Sequence, residues 1–208
     1  EWALEKRDKA QQRFNKALGV QANNITALMG MGEVYYVEED WPNLLNTYNS
    51  VIRFAHDPRR VIEAYLVKGH VLDAKMGLPD KAEQHYQKAK HYQETLSGEV
   101  DRPARLERLA ELALLKLSEL ALRDKKSDQA TAFVKQALEL VGSSAAFGPE
   151  LHLAMALSLA GSDSQAAEAA LNQAVSLDSN LGDSVAGKEP GDEAVLLELQ
   201  ARIQSNRL

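Results

Sequence analysis

Small and large residues alternate along this chain at spacings of four and three: Ala10, Phe14 and Ala17; Ala82, Tyr86 and Ala89; Ala130, Val134 and Ala137; Ala167, Leu171 and Ala174. Leu44, Tyr48 and Val51 form a bulkier version of the same stripe. Residues three and four apart share one face of an α-helix, so each stripe predicts an amphipathic helix whose buried side is narrow at two points and filled at the third. Between the stripes a second kind of segment repeats at helical spacing: Leu28, Met31, Gly32 and Tyr35, then Leu106, Leu109, Leu112, Ala113, Leu117 and Leu120. Alternation of period two never persists, and Ala, Leu, Glu, Gln and Lys dominate, so no strand is predicted. All six prolines (Pro42, Pro58, Pro79, Pro103, Pro149 and Pro190) fall at the edges of these segments. The pattern predicts helices over 1–4, 8–21, 24–38, 42–55, 59–76, 80–96, 103–124, 127–141, 147–160, 163–177 and 191–206. Asp40, Asp80 with Glu83, and Ser162 with Gln165 read as N-caps, whose side-chain oxygens satisfy the first free N–H groups of a helix.

The central large residue recurs at Phe14, Tyr48, Tyr86, Val134 and Leu171, in steps of 34, 38, 48 and 37 residues. With its 34-residue step and its unit Asn24 to Asp57, NITALMGMGEVYYVEEDWPNLLNTYNSVIRFAHD, the sequence resembles the tetratricopeptide repeat (TPR) family, whose unit is a helix–turn–helix of that length. Leu28, Met31, Gly32 and Tyr35 match the first helix of the family's unit and Trp41 its turn aromatic. The resemblance implies an all-α, right-handed superhelical array of antiparallel helix pairs over 1–180, about 4.5 repeats. The units are 1–23 (partial), 24–57, 58–97, 103–142 and 147–180. Leu44 and Val51 depart from the family's small residues, which predicts looser packing there, and the loop Ser97 to Arg102 predicts an irregular array. The partial first unit implies repeats upstream. Residues 181–208 complete the chain: Asp178 to Gly191 reads as a linker, and Asp192 to Arg207 as a helix capping the last repeat through Val195, Leu196, Leu199 and Ile203.

In the family the first helices of successive repeats line a groove that takes a partner's peptide or helix. Carried onto matching positions, the resemblance places Thr26, Met29, Glu33, Tyr36 and Val37 on that face, followed by Glu63, Leu66, His70 and Asp73. Leu112, Leu115, Glu119, Leu122 and His152 continue it. This apolar face with acidic punctuation suits an amphipathic or basic segment. Some family members grip an acidic carboxylate tail with Lys, Asn and Arg; Met29, Glu33, Leu66 and His70 stand at those positions here, so no such clamp is expected.

Charge and chemistry narrow the function class. A net charge of −6 with interleaved acids argues against a nucleic-acid or anionic-membrane surface. Having no cysteine, the chain lacks disulfides, thiolate catalysis and Cys-ligated zinc. No apolar run approaches the ~20 residues of a membrane span; a soluble protein is expected, the cytoplasm favoured over the periplasm or secretion. Five histidines (His56, His70, His85, His91 and His152) form no metal-binding spacing, and Gly30-Met31-Gly32 lies inside a predicted helix, not in a phosphate loop. The expectation is a non-catalytic scaffold binding another protein, with no cofactor and no metal. Two alternatives stand beside it: a homo-oligomeric assembly module, and an enzyme domain using the His70 and Asp73 face.

Overall fold

The computed structural model describes residues 2–95, 104–141, 146–185 and 188–205, and every regular element among them is helical. In chain order they are α1 (Trp2–Val20), α2 (Ile25–Val37), α3 (Trp41–Phe54), α4 (Pro58–His70) with a π turn over Val71–Lys75, α5 (Pro79–Thr95), α6 (Ala104–Arg123), α7 (Ser127–Val141), α8 (Gly148–Leu159), α9 (Ser164–Leu177), α10 (Ser179–Val185) and α11 (Glu193–Ser205). They fall into two compact units, Glu1–Tyr92 and Gln93–Leu208. The loop expected from Ser97 to Arg102 and the helix start at Pro103 lie outside the described residues.

Side-chain caps set several of the helix starts. The Asn24, Asp40, Asp57 and Asp163 carboxyl or amide oxygens accept from the N–H groups of Ala27 (3.0 Å), Asn43 (3.2 Å), Arg59 (3.0 Å) and Ala166 (3.0 Å). Asp40 is the cap that the sequence indicates. Two others are corrected. Helix α9 is capped by Asp163 instead of Ser162, and α5 begins at Pro79, which leaves Asp80 inside the first turn, where its charge favours the helix dipole. The two segments expected over 1–4 and 8–21 are one helix, because Glu5, Lys6 and Arg7 between them are good helix formers and no breaker intervenes. Turns between paired helices use left-handed backbone at Glu39 (φ 56°), Gly77 (φ 64°) and Lys125 (φ 60°). At Glu39 and Lys125 the next amide closes the turn: Asp40 N donates to Tyr35 O at 2.9 Å and Lys126 N to Ala121 O at 2.8 Å.

In the first unit α1 packs on α2, α2 on α3 and α3 on α4. Contact is close because a ring of one helix lies on a glycine of the other. A Cβ added at Gly30 would stand 2.3 Å from the Phe14 ring, at Gly32 2.6 Å from Tyr48, and at Gly69 2.4 Å from Tyr86. Between α2 and α3 the small residue is Gly32 on α2, which corrects the expectation of looser packing: Leu44 and Val51 are fully buried beside Tyr48 without pushing α2 away.

In the second unit α6 packs against α7 and α8, and α8 against α9. The small–large–small stripes of α7 and α9 face inward, with Ala130, Val134, Ala137, Ala167, Leu171 and Ala174 all buried. Every residue of α6 from Leu109 to Ala121 is buried, polar ones included. The expected linker contains α10, whose Leu181 and Val185 are buried and which packs on α9. Helix α11 buries Val195 and Leu199, lies along α8 and also reaches α6. The side chain of Ile203 lies outside the described residues.

The ring-on-glycine contact predicts opposite signs at two glycines. Gly69→Ala, which drives a methyl into Tyr86, should lower stability by about 1–3 kcal/mol in denaturant titration. Gly19→Ala, in α1 with nothing within 4 Å, should raise it by about 0.5–1 kcal/mol through helix propensity.

Candidate functional site

The first helices of the first unit, α2 and α4, are joined by side chains. Tyr36, in the last turn of α2, and His70, ending α4, meet with Tyr36 Oη 3.3 Å from His70 Nε2, and their rings stack at 6.3 Å and 20°. Trp41, at the start of α3, meets the Tyr36 ring edge-on at 5.6 Å. Lys75 Nζ lies 5.7 Å from the centre of the same ring, a cation–π contact on its face. Tyr36 and His70 are half-buried, Glu33 is exposed and Val37 is 64% exposed, while Met29 is half-buried against the core. Asp73 is half-buried within the π turn. These six residues of the expected face are therefore on or near the surface of the first unit. Leu66 is not: at 1% exposure it belongs to the core. Glu63 is buried too, ion-paired to Arg60 at 2.9 Å; with Glu33 it adds to burial in pushing the Tyr48 hydroxyl up to about 12.

In the second unit Leu115 and Glu119 on α6 are buried, at 0% and 4% exposure, and Leu122 is half-buried. Glu119 lies 3.6 Å from Arg123 one turn on. His152 on α8 is half-buried, and that burial lowers its pKa.

Two polar arrangements carry no signal in the sequence. In the first unit Lys68, 8% exposed on α4, donates to Asn49 Oδ1 on α3. His85 on α5 has a buried Nδ1 with no hydrogen-bond partner among the described residues, and its ring lies 6.1 Å from that of Tyr65. Burial, then Lys68 and Lys88, pushes the His85 pKa down to about 4. Burial and Lys88 likewise lower that of Lys68. In the second unit the fully buried Glu111 carboxylate accepts from the N–H groups of Phe147 (2.6 Å) and Ala146 (3.0 Å), capping α8 where Phe147 offers no oxygen of its own. Burial raises the Glu111 pKa and the two amides partly offset it. Arg108 covers the Phe147 ring at 5.8 Å. Among the described residues no group of three or more His, Asp or Glu side chains is placed to hold a metal ion, and no helix is long and apolar enough to cross a membrane.

Paired helices packed ring on glycine define a TPR-like helical-repeat fold. Among solved structures the chain is similar to YrrB, a TPR protein with an unusual peptide-binding site, at 16% identity and a TM-score of 0.58, over 96% of this chain and 86% of YrrB. No family model matches the sequence, and no curated protein does.

The buried polar groups predict two stability effects. A histidine with a pKa near 4 when folded and 6.5 when unfolded stabilises the fold above pH 6.5, and that contribution is lost as pH falls through about 4. The drop in stability between pH 7 and pH 4.5 should therefore be smaller in His85→Phe than in the parent, read by denaturant midpoints at each pH. Glu111→Ala leaves the Phe147 amide unsatisfied and should cost about 1–3 kcal/mol in the same assay at pH 7.

Proposed function

We propose that the chain is a non-catalytic scaffold that receives a segment of another protein on the first-helix face of its first unit. The observation that carries this reading is the meeting of Tyr36 and His70, from the first helices of successive repeats, beside exposed Val37 and Glu33. A half-buried tyrosine braced by an imidazole and by the Trp41 edge is a rigid, amphipathic platform, the kind of group that dominates protein interfaces. Lys75 already rests over the Tyr36 ring, so a cation fits that ring face. With Glu33 exposed and Asp73 half-buried nearby in sequence register, an amphipathic segment carrying Lys or Arg is the matching ligand. YrrB's peptide-binding site supports a peptide ligand for this fold. Leu66 takes no part, being in the core, and the contact set reduces to Met29, Glu33, Tyr36, Val37, His70 and Asp73.

Affinity capture from native extract, read by mass spectrometry, tests the reading. A partner held by the parent chain should be lost at least tenfold with Tyr36→Ala, a loss of about 1.4 kcal/mol or more as expected of an interface anchor. Circular dichroism melting must first show that the variant remains folded. Undiminished capture by the folded variant would overturn the proposal.

A further inference from the structure

The second unit carries an occupant on its own first helices. Helix α11 lies along α8 and reaches α6, and it buries Val195 and Leu199 completely, two aliphatic side chains four apart on one helix face. That spacing is how an amphipathic helix anchors in a groove between other helices. Asp192 Oδ1 accepts from Ala194 N at 2.8 Å to start the helix. Arg202, three residues beyond Leu199, donates to Asp178 Oδ2 just after α9 and to Glu198 Oε1, both at 2.7 Å. The opposite side is turned outward, with Leu197 58% exposed. The sequence joining α10 to α11, AGKEPGD, contains two glycines and a proline.

We infer that α11 is a removable occupant of the α6 and α8 face, and that a partner's amphipathic helix replaces it. The replacing helix carries the α11 pattern: two aliphatic residues four apart and a basic residue three further on, as in Val195, Leu199 and Arg202. The tethered helix holds the face closed, because a covalently attached ligand is present at high effective concentration, and a free helix must outcompete it. This rests on reading the first-helix faces as binding faces, but uses a different unit and different residues from the Tyr36 platform.

The whole 208-residue chain offers a direct test. A Cβ at Gly191 would stand 3.1 Å from the Ala160 Cβ at the end of α8, close to the ~3.5–4.5 Å of a disulfide, and the chain has no cysteine of its own. Ala160→Cys with Gly191→Cys therefore makes a reversible lock at the base of α11. The probe is a fluorescein-labelled synthetic peptide of residues 191–205, titrated by anisotropy against the double-cysteine chain reduced and oxidised, and against Leu199→Ser. Oxidation should weaken peptide binding at least tenfold, and Leu199→Ser, which loosens the tethered helix, should bind at least tenfold more tightly than the parent. Equal affinity in all forms would overturn the inference. So would absence of binding to Leu199→Ser, whether hydrogen exchange finds α11 open or still shut. A dimer of exchanged α11 helices in sedimentation would overturn the foreign helix in favour of a second copy. Failure here with Tyr36-dependent capture intact removes this inference alone, and failed capture with intact peptide exchange removes only the first-unit reading.

Discussion

Helix pairs of the first unit approach as closely as they do because aromatic rings lie on bare backbone. Phe14 on Gly30, Tyr48 on Gly32 and Tyr86 on Gly69 are one kind of contact made three times, always with the glycine on α2 or α4 and the ring on α1, α3 or α5. A flat ring against a glycine buries large apolar area while keeping interhelical distance short, which neither two aliphatic side chains nor two alanines achieve. The neighbouring positions depend on this contact. Leu44 and Val51 can be large on either side of Tyr48 because Gly32 gives the ring room. The end of α2 is consequently held where Tyr36 meets His70 and Trp41.

The second unit solves the same problem with alanines on α7 and α9, and its demanding feature is a helix surrounded on every side. Burying α6 from Leu109 to Ala121 takes Glu111, Lys116, Ser118 and Glu119 out of water. Each needs compensation, since a buried charge without partners is expensive. Ser118 donates to Leu115 O at 2.7 Å, Glu119 lies beside Arg123, and Glu111 becomes the cap of another helix. Ser118 and Glu119 are satisfied within α6, whereas Glu111 joins α6 to the start of α8.

Local chemistry was legible and long-range chemistry was not. The stripes of Ala82, Tyr86 and Ala89 and their counterparts announced the buried faces of α5, α7 and α9, and Asp40 announced its own cap, because each is decided within one or two helical turns. The bond from Glu111 to Phe147 joins residues 36 apart, and nothing near either one signals it. The reach of α11 to α6 is long-range in the same way: Val195 and Leu199 reveal that one face is buried, but a hydrophobic face does not name every surface that covers it. On the candidate face, the resemblance placed Tyr36 and Val37 beside His70 and Asp73. It could not separate Leu66, on the same helix as His70, from the surface, since an apolar residue on a first helix reads alike whether it faces core or groove.

The π turn after α4 lets the chain absorb a change in length. Met76 N reaches back to Val71 O at 3.0 Å and Leu78 N to Leu72 O at 2.8 Å, so the coil widens to hold an additional residue without breaking. The step from Tyr48 to Tyr86 is longer than the 34 residues before it, yet Gly69 still meets Tyr86 as Gly32 meets Tyr48. Placed after the glycine, the widening leaves the interhelical contact in phase and displaces only the residues within and beyond the turn, Asp73 among them. Repeat lengths can therefore drift by single residues inside a helix, and the drift alters which side chains reach the surface while leaving the core unchanged.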